Sequence, residues 1–193
     1  MEKRSGSLQD RHIVKYTIFD IADENFGIEI QWVVEILKPQ KLFKIPELPD
    51  FVSGVISVRG EIIPVIDLRI RFGITEKAGK QRVVLIRLEE AKVGLLVDNV
   101  TDIAEISKEK ISKPPKLFKG FRAEFIKGLG QEHSYVGTKT SNSNRVIIIL
   151  DIERILTSEE KIKLKRSRGK LKNEEVNPHG RESVRRRLKK DKK

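Results

Sequence analysis

Three histidines, the adjacent glutamates Glu89-Glu90 and Glu159-Glu160, a Gly-x-Gly and an Arg-Gly-Glu corner are where side-chain types could do chemistry in this chain. His12, His133 and His179 stand far apart, in no metal-binding spacing, and the chain has no Cys to complete a site. Glu89-Glu90 and Glu159-Glu160 are neighbours, and neighbours along a strand point to opposite faces, so neither pair converges on a substrate. Gly128-Leu129-Gly130 lacks the third glycine of a dinucleotide loop, and no helical pattern follows it. A strand followed by a turn explains it. No enzyme is expected, and no cofactor or metal.

The remaining feature is the corner Arg59-Gly60-Glu61, set inside the apolar run GVISVRGEIIPVIDL at 54–68. Val55–Val58 and Ile62–Ile66 read as two strands joined there, with Gly60 supplying the positive φ of a tight turn. Arg59 and Glu61 then project from the hairpin end, either as solubilising charges or as a contact with a partner. Ile62–Ile66 is apolar on both faces, so protein should cover both. Pro64 cannot donate to a ladder and argues for an edge strand or a bulge.

The elements around the corner are short. Further strands are expected over His12–Phe19, Phe26–Ile30, Arg82–Leu88, Val93–Val97, Thr101–Ile106, Phe125–Leu129 and Arg145–Leu150, all rich in Val, Ile and Phe. Short helices are expected over Gln31–Leu37, Leu68–Phe72 and Ile152–Leu156. Many short strands without long helices indicate a mainly β chain of small barrels or a sandwich. An internal echo suggests two related half-modules: Gly27, Gly54 and Asp67 recur in order as Gly94, Gly128 and Asp151. Trp32, in the expected helix at 31–37, either plugs a barrel or stands with Val33 and Ile36 as an anchor for a helical partner. Glu35 would set orientation there. The stretch Ser134–Asn144 reads as a long polar loop.

Charge is distributed unevenly. The net charge is +12, yet residues 1–160 hold 25 Lys and Arg against 24 Asp and Glu, a net of +1. Residues 161–193 hold 15 against 4, with only six Leu, Ile, Val or Phe among 33 residues, so this tail is expected to be disordered alone. Its readings are a solvated extension, an anchor on an anionic membrane or acidic protein through Arg185, Arg186, Arg187, Lys189 and Lys190, or a phosphate binder. The tail lacks Phe, Tyr and Trp for stacking, which disfavours nucleic acid. The polar start MEKRSGSLQD and the absence of any long apolar run point to a cytoplasmic protein.

Ser57–Leu68, SVRGEIIPVIDL, resembles the central signature of the CheW family of bacterial chemotaxis adaptors. Phe26-Gly27-Ile28 with Val33–Ile36, Ile45-Pro46 with Pro49, Gly94–Val100, Gly128-Leu129-Gly130 and Ile148–Ile152 match other family elements in order. The resemblance spans roughly 12–157, leaving a flexible start at 1–11 and a basic tail at 158–193. Ser57 departs from the usual Asn. The resemblance implies an all-β fold of two packed five-stranded SH3-like barrels. It implies an adaptor or scaffold that couples membrane chemoreceptors to a CheA-type histidine kinase, with the receptor's hairpin tip in a groove between barrels. Val33 and Glu35 match positions linked to receptor or kinase contact; Gly54, Arg59 and Gly60 match positions sensitive in receptor coupling. Asp67 matches a structural Asp or Asn, read as a helix cap. The rival readings are a nucleic-acid-associated barrel protein acting through its tail, or an adaptor of pilus motility.

Overall fold

The computed structural model describes residues 13–45, 48–74, 81–89, 91–114, 123–132 and 145–176. The chain forms β1 (Ile13–Ile21), β2 (Glu24–Glu29), a 3-10 turn at Ile30–Trp32, β3 (Val33–Leu37), β4 (Val52–Val58), β5 (Glu61–Asp67) and α1 (Leu68–Arg71). It continues through β6 (Arg82–Leu88), β7 (Ala91–Val97), β8 (Asn99–Ser107), β9 (Ile111–Ser112), β10 (Ile126–Glu132), β11 (Arg145–Leu150) and α2 (Ser158–Val176).

These strands make two sheets, ordered β8-β1-β2-β11-β10-β9 and β3-β6-β7-β5-β4. In the first, β8 and β9 are opposite edges yet are separated in the chain by a single 3-10 turn, Lys108–Lys110. One bent strand therefore closes that sheet on itself. In the second, the connector after β3 folds back so that Phe43 bridges to Val55 on β4, drawing the two edges together. Closure removes exposed strand edges. The chain crosses between the barrels twice, so the first barrel is split around the second, which is the single run β3–β7. Hairpin β1–β2 belongs to the first barrel but the chain runs on into the second; β6–β7 belongs to the second and runs back into the first.

The echo in the sequence marks these crossings. Gly27 in β2 and Gly94 in β7 sit where each hairpin meets its barrel in parallel, opposite Ile149 and Val65. Gly54 and Gly128 both lie at bulges in the following strands. The backbone N–H of Asp67 donates to the Phe51 carbonyl at 2.8 Å, and that of Asp151 donates to Phe125 at 2.8 Å. Both aspartates then cap the next turn, Asp67 accepting from the N–H groups of Arg69 and Ile70, Asp151 from that of Glu153.

Alternation along each strand splits the core into three. Tyr16, Ile18, Ala104, Ile106, Ile147 and Ile149 fill the first barrel; Ile56, Ile63, Val65, Val83, Leu85 and Leu96 fill the second. The opposite faces, including Phe19, Phe26, Ile66, Val84, Ile86, Ile148 and Leu150, form one layer between the barrels. Each such side chain contributes about 1.5–3 kcal/mol on burial. Rings of Phe19, Phe26, Phe72 and Phe125 run through that layer in a row, with centroid steps of 6.1, 5.5 and 6.0 Å.

A buried cation ends the row. The Arg71 guanidinium lies 4.1 Å from the Phe51 ring centroid and 4.7 Å from that of Phe125, the two residues the echo pairs. Both its terminal nitrogens donate to Glu160 at 2.9 Å. Glu160 is also the third residue past Thr157, and the two exchange capping-box bonds at the start of α2. Burial alone would raise the Glu160 carboxyl; the bonds from Arg71 and Thr157 outweigh it and hold it below the ordinary carboxylate value. Arg69, next but one in α1, grips Asp98 through Nε at 2.7 Å and through Nη2, and Asp98 also accepts from the Ala22 N–H at 2.7 Å.

Three expectations need correction. Residues 31–37 are not a helix: only Ile30–Trp32 turns, and β3 pairs with β6 from Val33 to Leu37. Val33, Val34 and Ile36 are β-branched, too short a run to nucleate a helix and well suited to a sheet edge. Pro64 is buried in β5, an interior strand between β4 and β7, and not on an edge. It is tolerated because the parallel ladder to β7 begins only at Val65. Residues 158–176 are helical, contrary to the disorder expected from composition, because Glu160 and the buried Leu164 tie α2 to the body. The polar stretch 134–144 and the basic residues Arg185, Arg186, Arg187, Lys189 and Lys190 lie outside the described residues.

Replacing Arg71 by Ala is expected to lower the unfolding free energy by about 3 kcal/mol, by stranding Glu160 and opening space between two rings. The double change Arg71→Met with Glu160→Gln should recover most of that loss in urea melts. Because the folded-state pKa of Glu160 is depressed, its contribution is present at neutral pH and disappears as pH falls below about 4.5. Acid titration of Glu160→Gln should accordingly show a shallower loss of stability.

Candidate functional site

The strand pair β4–β5 turns through only two residues, Arg59 and Gly60, between the paired Val58 and Glu61. Both have positive φ, 52° and 79°, the signature of the tight turn whose twist matches the strands it joins. Glycine takes this conformation freely, whereas arginine is held there by the ladder on either side. The corner is therefore a rigid mount that carries a guanidinium.

That guanidinium meets Glu35 of β3, 24 residues earlier in the chain. Arg59 Nη2 donates to Glu35 Oε1 at 3.1 Å and forms an ion pair with Oε2 at 3.1 Å. β3 and β4 are opposite edges of the second sheet, so the pair lies across the barrel seam. Arg59 is 81% exposed and Glu35 32%. An exposed pair of this kind adds little stability, roughly 0–1 kcal/mol, and leaves most of the guanidinium open to another carboxylate or to backbone carbonyls. On β3, Glu35 is flanked by Val34 and Ile36, apolar and exposed by 41% and 45%. Lys92 donates to Glu61, the other charge of the corner, at 2.6 Å.

Gly54 lies five residues earlier on β4, away from the turn and against the connector after β3. Its φ is +143°, and an added Cβ would come within 2.5 Å of the Phe43 carbonyl oxygen, in the connector that bridges to Val55. Gly60 differs: nothing lies within 4 Å of where its Cβ would be, so its constraint is conformational alone.

Sequence reasoning thus singled out Arg59 and Glu35, which the fold brings together, and Gly54, which stands apart from them against Phe43. Ile36 is on the surface beside Glu35. Trp32 and Val33 are half-buried against the inter-barrel layer and support the seam from inside, so Trp32 is not a protruding anchor. Val34, within the matched stretch Val33–Ile36, and Phe43, 47% exposed, were not singled out as site residues. The resemblance implies a groove between the barrels but not its lining: a shallow apolar cleft at the junction is formed by Phe26, Phe72, Ile74, Ile126, Ile148 and Leu150, with Glu24 as its one carboxylate. Its walls come from both barrels, so no local pattern announces it.

Titratable groups with displaced pKa values do not converge. Burial, and then Glu29, push the Tyr16 hydroxyl up to about 12 inside the first barrel; Glu89 lies on the β6–β7 turn and Glu160 on α2. Among the described residues no three His, Asp or Glu side chains are grouped to hold a metal ion. Nor is any helix there long and apolar enough to cross a membrane.

Twin barrels joined by one apolar layer, bearing a charged corner and an apolar cleft, define a double β-barrel fold. The comparisons give the family. Residues 15–160 match the CheW-like domain, and the chain belongs to the CheW family of non-catalytic chemotaxis adaptor and scaffold proteins. It is 33% identical to the chemotaxis protein CheW of Treponema pallidum over 152 residues, covering 76% of this chain and 84% of that one. Against the chemotaxis protein CheW of Klebsiella aerogenes identity is 33% over 148 residues, covering 76% and 83%. The crystal structure of the scaffolding protein TtCheW from Thermoanaerobacter tengcongensis superposes with a TM-score of 0.64 at 32% identity, covering 76% of this chain and 94% of that one.

Alanine at Gly54 is expected to cost several kcal/mol, since both φ and a backbone oxygen oppose it, whereas Gly60→Ala should cost only about 1–2 kcal/mol. Thermal melts of the two variants side by side would check the order.

Proposed function

We propose that this adaptor couples membrane chemoreceptors to a CheA-type histidine kinase, working in the cytoplasm beside receptor arrays. The reading is carried by the Arg59–Glu35 pair: a guanidinium on a strained turn, locked across the barrel seam and four-fifths exposed. Such a mount presents a planar donor fork at fixed orientation, which suits recognition of a carboxylate or a helix end on another protein. Val34, Ile36 and Phe43 add exposed apolar area on the same barrel. The shallow apolar cleft at the barrel junction is the second contact, where apolar side chains of a helical partner would seat. The rigid shared layer keeps the two at constant separation, so engagement of one partner is registered at the other. Nothing in this reading assigns the core to nucleic acid, since residues 1–160 are close to neutral.

Arg59→Asn separates this role from folding. Asn tolerates positive φ better than Arg, so the melting temperature should hold or rise slightly. Receptor-dependent kinase activity, reconstituted with a receptor cytoplasmic fragment and CheA, should fall about ten-fold, the size of one lost charge-assisted contact. Parental activity together with a parental melting temperature would refute the role given to Arg59.

A further inference from the structure

Helix α2 lies almost wholly past the residues matched to the family, which end at 160. It has 19 residues, about 28 Å at the usual rise. Its first turns are seated on the second barrel: Glu160 holds Arg71, Leu164 is buried, and Lys161 and Lys165 reach Glu89 at 3.0 and 3.8 Å. Glu89 stands on the β6–β7 turn with a φ of 54°, another rigid mount. The helix therefore leaves the body in a set direction.

Between 161 and 172 the chain carries seven Lys or Arg and no acid. Lys161 and Lys165 face the body; Lys163 and Arg166 are exposed. Beside them Ile162 is 50% exposed, and an added Cβ at Gly169 would meet nothing within 4 Å. By helical spacing Ile162, Arg166 and Gly169 share a face, with Lys163 at its border. That face combines cations, one aliphatic side chain and a notch where another backbone can come close.

We propose that this face of α2 is a further docking element of the adaptor, taking an acidic protein helix of the receptor–kinase assembly. The proposal rests on the reading of the chain as a chemotaxis adaptor. Three observations favour protein over phosphate polyanions. The clasp fixes the helix in orientation, which shape recognition uses and diffuse charge neutralisation does not. The exposed Ile162 and the Gly169 notch suit a packed helix pair. The tail has no aromatic residue to stack on bases, and Lys outnumbers Arg five to two between 161 and 172.

The test uses the full chain and the triple variant Ile162→Gln, Lys163→Gln, Arg166→Gln, which keeps good helix formers and leaves Glu160 and Leu164 untouched. Binding to a receptor cytoplasmic fragment with CheA is measured at several salt concentrations, beside a duplex DNA fragment and vesicles containing phosphatidylserine. The triple variant should bind the receptor–kinase complex about ten-fold more weakly at low salt, with a flatter salt dependence and unchanged circular dichroism. Parental binding by the triple variant, while Arg59→Asn is impaired, would overturn the proposal and leave the adaptor reading standing. Parental binding by both would remove both. Tighter binding of DNA or vesicles than of the receptor–kinase complex at physiological salt would overturn it in favour of a phosphate surface.

Discussion

The apolar layer between the barrels is the constraint on which the rest depends. The first barrel is completed by the hairpin β1–β2 from the start of the chain, the second is the continuous run β3–β7 between its parts, and beyond a small core inside each barrel the largest buried cluster is the layer they share. The row of phenylalanines crosses the junction, and Arg71 closes its end between Phe51 and Phe125, tied off by Glu160. A buried guanidinium is tolerable there because two rings and a carboxylate replace its water. Shape at the surface follows: the junction cleft exists only while the layer holds the barrels together.

Function in such a molecule is positional. The Arg59–Glu35 pair spans two edges of one barrel, and the turn that carries Arg59 is fixed by two positive φ angles. None of these features stores or transfers a proton. They set where a charge and a few aliphatic side chains stand, as expected of a protein whose task is to hold others in register.

Much of the fold could be read from local chemistry, because turns and caps are local. Asp67 and Asp151 cap turns within three residues of themselves, whereas the parallel junctions at Gly27 and Gly94 join strands distant in the chain. What escaped was decided at a distance. β3 looked helical because the apolar spacing at 33, 36 and 37 suits either period, and its partner β6 lies some fifty residues on. Pro64 suggested an edge because the starting point of the β7 ladder is invisible in sequence. The tail composition concealed α2, although Thr157-Ser158-Glu159-Glu160 is a capping box; the partner of Glu160 is Arg71, 89 residues away. Arg59 was singled out through its motif, but only the fold supplies Glu35 as its neighbour.

Cooperativity is the most direct consequence of the shared layer. Trp32 packs against the shared layer, so its fluorescence reports on the junction, while far-ultraviolet circular dichroism reports on all the strands. Urea unfolding followed by both signals should give one coincident transition with a common midpoint. Two separated transitions, with the fluorescence change complete while much of the β signal persists, would mean that the barrels stand independently and that the shared layer does not hold the molecule together.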